Sequence, residues 1–450
     1  MRSAALALAL LAAAAPTAAR ELWRSGGRVV ELSGSLREVI EATHGTGDDE
    51  FAAAQALDPA CQDTARFADC AAFEAVGDKP VETSLTRARL TLDARASQRW
   101  SASLSYDHEW HAGTLDTFEG TFSEDVDTLL DLDDEIELFG LEPHGDHFRW
   151  RHRLYRGYVR YEGKHVHVTA GRQRLAWGTG RLWNPIDRLA ATPPLAIEGD
   201  EFAGIDAIEA RWMWSGFDYV QLVAAPGDSA RTSRYALRVH GVLRDKDVSF
   251  VAGFFEQALA VGADFSGNLG DAAWRFEAVW TDPSRDVWML DAGAPGELPE
   301  FWQIVLSLDT TLDFGSGLYV LVEHLYDENA LGFGSGRAGA LLPLFGAGGS
   351  LANPIPVPQG RERFAGSRVI SSAKHTTGVQ LGMDATAALR ADLLVLVDWS
   401  GSSAAFAPIL SYTGWNSIEL RVGAQLFAGP RRSQFGAQQA IGFAVVEWFF

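Results

Sequence analysis

A chain of 450 residues with a formal net charge of −21 is long for one soluble core and too acidic for a nucleic-acid partner. Hydrophobic residues make up 47% of it, and 15 are Trp, yet beyond the first 19 residues no run approaches the ~18 consecutive apolar positions of a membrane helix. A place in a membrane therefore requires a closed β-barrel, the other structure that pairs every backbone polar group inside hydrocarbon.

The chain starts with Met1-Arg2, an apolar run from Ala4 to Ala15 and the small residues Thr17-Ala18-Ala19. This pattern predicts a secretory signal peptide over 1–19, leaving 20–450 as a single domain. No cysteine stands beside the cleavage site, which argues against a lipoprotein. Val29 to Ile40 reads as a first strand. The polar stretch 44–79 follows and holds Cys61 and Cys70, the only two cysteines of the chain. An even count at short spacing in an exported protein predicts one local disulfide.

From Ser84 to Ala96 the residues alternate, with Ala88, Leu90, Leu92 and Ala94 on one face and Arg87, Arg89, Asp93 and Arg95 on the other. That is the two-residue period of a half-exposed strand. The next strand repeats it, with Trp100, Leu104 and Tyr106 opposite Ser101, Ser105 and Asp107. A second long stretch, His111 to His147, carries 12 Asp or Glu, including Asp131, Asp133, Asp134 and Glu135. These hard oxygen ligands suggest a calcium site, but the EF-hand spacing is missing and a solvated acidic face is favoured. Strands follow at 153–161 and 165–171, and then at 205–214, 217–225, 233–243, 246–256, 258–266, 271–281, 300–311, 315–326, 373–385, 388–399, 405–412 and 415–427.

The last strand ends the chain as Glu447-Trp448-Phe449-Phe450. Its Phe450, Trp448, Val446 and Ala444 share one face, and a terminal aromatic of this kind predicts recognition by barrel-assembly machinery. Eighteen strands result, with 16 as the alternative count. Every long connection falls after an odd-numbered strand, and the even-numbered connections are short, such as Ser97-Gln98, Gly163-Lys164, Asp245 and Thr413-Gly414. Short turns on one side and long loops on the other are what an outer-membrane barrel requires. The expected fold is thus an all-β, single antiparallel transmembrane barrel.

If apolar alternates face lipid, the lumen is lined by Arg87, Arg89, Arg95, Arg156, Arg160, Arg211, Arg234, Arg238, Arg275, Arg390 and Arg421. Facing them are Asp93, Glu209, Asp264, Glu277, Asp384, Asp392, Asp398 and Glu419. Arg outnumbers Lys 34 to four, and its fixed, forked charge suits a pore. The densest motif spans Gly171 to Leu189 and includes Arg172, Arg174, Trp177-Gly-Thr-Gly-Arg181, Trp183-Asn184-Pro-Ile-Asp187 and Arg188. It lacks the G-x-G-x-x-G of a nucleotide site. An in-folded constriction presenting its arginines is favoured over a rim loop packing its Trp side chains.

This motif, a strand ending in G-R-Q followed by W-G-x-G and N-P-x-D, resembles a loose group of outer-membrane porin-like proteins similar to alginate-export barrels. The resemblance implies an outer-membrane barrel that transports something, and it carries over no residue role. The function expected is a channel for small polar solutes, anionic by preference, or for oligosaccharides. The rival readings are an uptake barrel for hydrophobic compounds, entered through Leu331 to Phe364, and a component of lipid or polymer export. A barrel hydrolase ranks last, because no serine stands in a nucleophile context. Neither a cofactor nor a resident metal is expected. The expected surroundings are outer-membrane lipid and lipopolysaccharide, with no nucleic acid.

Overall fold

A computed structural model describes residues 20–43, 81–113, 144–145, 148–190, 193–201, 204–227, 233–255, 258–283, 288–290, 294–296, 300–330, 341–343, 354–356, 371, 373–430, 433–436 and 440–450. The expected signal peptide and disulfide cysteines, nearly all of the acidic stretch and most of Leu331 to Phe364 lie outside them.

Eighteen antiparallel strands close into a barrel. In chain order they are β1 (Arg28–Thr43), β2 (Val81–Arg95), β3 (Trp100–Gly113), β4 (Phe148–Glu162), β5 (Val166–Gln173) and β6 (Ile205–Met213). Then come β7 (Tyr219–Ala225), β8 (Arg234–Leu243), β9 (Lys246–Phe255), β10 (Ala258–Leu269), β11 (Ala272–Asp282) and β12 (Phe301–Leu312). The last six are β13 (Leu318–Asp327), β14 (His375–Asp384), β15 (Leu389–Asp398), β16 (Ser403–Trp415), β17 (Ile418–Ala428) and β18 (Ile441–Phe449). Each pairs with its sequence neighbour, and β1 pairs with β18 to close the ring.

The parity of the connections holds. Turns 96–99, 163–165, 214–218, 244–245, 270–271, 313–317, 385–388 and 416–417 lie at one end, and every long connection lies at the other. Arg244 and Asp245 both have positive φ, as a two-residue hairpin turn needs. One turn sits elsewhere than the sequence suggests. The Thr413-Gly414 pair remains within β16, where the register shifts between Tyr412 and Trp415, and the chain reverses at Asn416-Ser417 with Ser417 at φ 59°. Strands β1 to β4 also run further toward the loop end than expected. There both faces turn polar (His108, Glu109, Arg153), so the two-residue period fades while the ladder of hydrogen bonds continues.

The outer face carries an apolar belt that includes Leu90, Leu104, Ile208, Leu222, Phe250, Val261, Leu306, Val322, Leu410 and Val422, all exposed. Aromatic pairs rim its turn end, among them Trp100–Tyr161, Trp212–Trp214, Tyr412–Trp415 and Trp448–Phe450, with ring centroids 4.8–5.6 Å apart. At the loop end stand Trp280, Trp302 and Trp399. An apolar band between two aromatic girdles fits a bilayer.

At the seam, Phe450 and Gly34 exchange both backbone hydrogen bonds at 2.9 Å. The Phe450 ring lies over Gly34, where a Cβ would sit 2.6 Å from a ring carbon. A short strand, Arg20–Ser25, pairs with residues 28–32 on the same edge of β1, directly beyond the end of β18.

Candidate constriction in the barrel lumen

Simple alternation predicts a polar lumen, but much of the inner wall is apolar. Val39, Leu85, Val223, Val251, Val279, Val305, Leu321, Leu325, Leu394, Leu396 and Val445 are all buried there. The segment 174–204, between β5 and β6, explains them, because it folds into the barrel and covers them. Its Leu175, Trp177, Ile186 and Leu189 pack against inner residues of β6 to β11. Leu182, Trp183 and Leu195 pack against β12, β13, β15 and β16 and against Phe435. Ile197 packs against β1, β2 and β18. A stretch that touches nearly the whole circumference is a bar across the lumen, and the two Trp side chains that could have packed on a rim are its apolar feet.

The W-G-T-G-R-L-W turn is held by two wall carboxylates. Glu277 of β11 accepts hydrogen bonds from the N–H groups of Thr179 and Gly180, the latter at 2.6 Å, and more weakly from Ile186 at 3.4 Å. Glu323 of β13 accepts from Arg181, Leu182 and Trp183, each at 2.8 Å. Such a row of convergent N–H groups makes an anion-binding concavity, here filled by side chains of the barrel itself. The glycines permit it. Gly178 has φ +83°, and a Cβ on Gly180 would lie 2.0 Å from the Trp183 carbonyl oxygen. The N-P-x-D part closes on itself, with the Asp187 carboxylate accepting from Leu189 and Ala190 at 3.1 and 3.0 Å.

The far end of the segment sits in an ion-pair cluster. Glu198 accepts from Arg87 at 2.8 Å and from Arg37 at 3.2 Å. Asp200 is bound by Arg37 at 2.6 Å and Arg421 at 3.0 Å, and Glu201 by Arg89 at 2.9 Å. Arg87 also reaches Glu109 at 2.5 Å, Arg89 reaches Asp107 at 2.6 Å, and Arg37 bonds to Glu447. Gln425 donates to the Leu195 carbonyl at 2.6 Å.

The two ends respond to acid in opposite ways. Burial pushes the Asp187 carboxyl up to about 6, above its ordinary 3.8. Burial also works to raise Asp200, but Arg37 and Arg421 outweigh it and hold the group down at about 2. Glu201 likewise lies below its ordinary value, burial being outweighed by Arg89 and Arg87. The folded state thus binds the Asp187 proton more readily than the unfolded chain, so its contribution to stability grows as pH falls from about 6 toward 4. The Asp200 contribution is complete above pH 4 and is lost as pH falls toward about 2. Resistance of the 174–204 segment to proteolysis should therefore peak near pH 4–5. Asp187→Asn should flatten the limb above the peak and Asp200→Asn the limb below it; a profile that neither changes would contradict the assignment.

The arginines expected in the lumen do not share one role. Arg87, Arg89 and Arg421 hold the inner segment. Arg211 pairs with Glu209 at 2.9 Å, Arg275 with Asp309, Arg390 with Asp392 at 2.9 Å, and Arg238 with Ser249 at 2.9 Å and Asp264 at 3.6 Å. Arg234 is fully buried, and Arg95 is exposed at the turn end. On β4, Arg156 lies 4.0 Å from the Tyr155 ring centroid, with Arg89 3.4 Å from the same centroid, and Arg160 lies 5.0 Å from the Tyr158 ring.

Within the motif the arrangement differs from the one expected. Arg172 is bound to Asp206 at 2.6 Å, and Arg188 to Thr281 at 2.6 Å, so neither presents its charge. Arg174 and Arg181 are exposed within the lumen. Arg37, Glu198, Glu201, Glu323 and Tyr155 escaped the sequence reading. Glu323 had a visible signal, a single acid between Leu321 and Leu325 on one face of a strand. Tyr155 had none, because it owes its place to the β3–β4 register shift at Ser105/Tyr106.

No family model matches the chain, and no curated protein matches it. Solved structures do. OccK8 (OprE) of Pseudomonas aeruginosa aligns with a TM-score of 0.52 at 10% identity, covering 94% of this chain and 98% of that one. OccAB1 of Acinetobacter baumannii aligns at 0.51 and 10% identity over 93% and 96% of the two chains. OpdK of Pseudomonas aeruginosa, solved with vanillate, aligns at 0.50 and 8% identity over 94% and 98%. At such identities the likeness is one of fold, and it extends over nearly the full length of both chains: a closed, 18-stranded antiparallel barrel of the outer-membrane type.

Proposed function

We propose that this chain is an outer-membrane channel for small polar solutes, with the segment 174–204 setting the narrowest part of its bore. The observation that carries the reading is the bar across the lumen, seated on Glu277 and Glu323 at one wall and on Arg37, Arg87 and Arg89 at another. A segment fixed at both ends narrows the lumen without relying on a mobile plug. The outer girdles and belt suit a bilayer, and the full-length likeness to OccK8 and OccAB1 supports the same assignment.

The arginines of the seat do not favour anions. Arg37, Arg87, Arg89, Arg153 and Arg421 face Asp107, Glu109, Glu198, Asp200, Glu201 and Glu447, and the charges nearly cancel. An anion preference rests instead on Arg181 of the bar and on Arg160 of β4, because charge acts most strongly at the narrowest point. A hydrolase reading gains little from a Ser–His contact in the wall, Ser249 Oγ to His240 Nδ1 at 3.0 Å. That serine is fully buried and also binds Arg238, which makes it part of a wall network.

The test is single-channel recording of the purified chain in a planar bilayer. Ohmic conductance is expected, with a reversal potential in a salt gradient that shows anion preference and moves toward zero in Arg160→Ala/Arg181→Ala. Absence of conductance would overturn the channel reading. Conductance with cation preference would overturn the placement of the selective charge.

A further inference from the structure

Two clusters on the outer wall have no place in a purely apolar belt. The first, on β3 and β4, holds Tyr106, whose hydroxyl bonds to His152 Nδ1, with His108 stacked on His152 at 6.1 Å. The second, at the loop end of β13, β14 and β15, is larger and has directed donors. Trp399 Nε1 donates to Thr377 Oγ1 at 2.8 Å, which lies 2.9 Å from His324 Nδ1, and His324 Nε2 lies 3.4 Å from His375 Nδ1. Thr377 has one proton to give and two lone pairs, so while it accepts from Trp399 it can give that proton to His324 Nδ1. In that tautomer His324 donates from Nε2 to His375 Nδ1, and His375 Nε2–H is the donor at the end of the row.

Beside it stands Lys374, exposed, its ammonium 5.5 Å from the Tyr326 ring, which in turn packs on His375 at 5.2 Å. Lys374 is one of only four lysines in the chain. Among the described residues, no hydrogen bond or ion pair joins a carboxylate to the cluster. Acids at that end of the wall are engaged elsewhere, Glu328 by the Trp302 N–H at 3.0 Å, Glu300 by Trp280 Nε1 at 3.2 Å and Asp398 by the Ser400 and Gly401 N–H groups at 2.8 Å. Glu323 and Asp327 of the same strand point to the buried inner face.

We propose that Lys374, His375 and the ring row behind them form a docking site for the phosphorylated headgroup of a lipid in the leaflet at the loop end. An ammonium and an oriented imidazole N–H are the donors a phosphate takes. The Trp399 and Tyr326 rings place them at the depth of a membrane interface, where amphipathic aromatics anchor. The proposal rests on the outer-membrane reading above, but it concerns the wall rather than the bore.

The experiment is native mass spectrometry of the full chain in detergent, titrated with diphosphoryl lipid A, with dephosphorylated lipid A and with inorganic phosphate. Diphosphoryl lipid A should bind, and the dephosphorylated form should bind several-fold more weakly. Lys374→Ala should lower the affinity about fivefold, the factor one basic residue contributes at an anionic lipid surface, and adding His375→Gln should lower it further. His108→Gln/His152→Gln should leave it unchanged, since that cluster has no ammonium. Heat-modifiable migration of each variant verifies the fold. Equal binding of the two lipid A forms, or no loss in the Lys374 and His375 variants, would overturn the proposal. So would displacement of the lipid by equimolar inorganic phosphate, which would make this a site for the free ion. Conductance should be unaffected in these variants, so a silent channel that still binds lipid A would count against the proposed function alone.

Discussion

Replacing Glu323 by Gln should release one end of the luminal bar and raise single-channel conductance, with frequent transitions between levels in place of one quiet state. The carboxylate is fully buried and accepts three backbone N–H groups, from Arg181, Leu182 and Trp183. An amide of the same shape turns part of that acceptor surface into N–H, so at least one donor of the turn is left facing another donor. A hydrogen bond to a charged group contributes about 1.5–3 kcal/mol, and several are weakened together. The turn relaxes where it can, so the loss is smaller than their sum. Glu277→Gln should act in the same direction, and the double variant more strongly than either alone. Wild-type conductance in the double variant would show that the turn keeps its place by apolar packing alone.

Arg87→Ala should be the most destabilising single change at the other end. The guanidinium is 3% exposed and bridges Glu109 of β3 and Glu198 of the bar. Its removal leaves two buried carboxylates short of a partner, a loss of about 3–5 kcal/mol when a buried pair is broken from one side. Arg37, 3.2 Å from Glu198, and Arg153, 3.3 Å from Glu109, offset part of it. The midpoint of heat-modified migration should fall clearly, and Arg87→Ala/Glu198→Gln should recover part of the loss. A double variant no more stable than Arg87→Ala would show that the two groups are not coupled.

The barrel was legible in the sequence because lipid imposes a period of two on one face of each strand, and turn lengths separate by side. Strand ends were less so. Beyond the hydrocarbon, as at His108 to Gly113, the outer face no longer has to be apolar and the period disappears. Position on the inner face was also readable, since Arg87, Arg89, Arg238 and Arg275 fall there by alternation from their apolar neighbours. What those side chains do was not. Arg87 meets Glu198, 111 positions away, and no local pattern reports a partner at that distance. The apolar inner residues misled in a related way. Val305 and Leu321 break a polar-in rule that assumes a water-filled lumen, and they do so because Trp183 and Leu195 cover them.

The seam has a consequence for how the chain can be cut. Arg20–Ser25 lies on the edge of β1 immediately past Phe450, with Arg20 opposite Leu32 and Phe450 opposite Gly34. Only the position opposite Ser33 separates them, so the two segments run head to tail along one line. The gap between the two segments thus lies along a hairpin arm and not at a turn. In a variant cut to start at Arg20, a single-residue splice from Phe450 to Arg20 would fuse them into one continuous arm and make the backbone circular through the wall. New ends could then be opened at any of the short turns, such as Arg244-Asp245, and the order of strands around the ring would be unchanged.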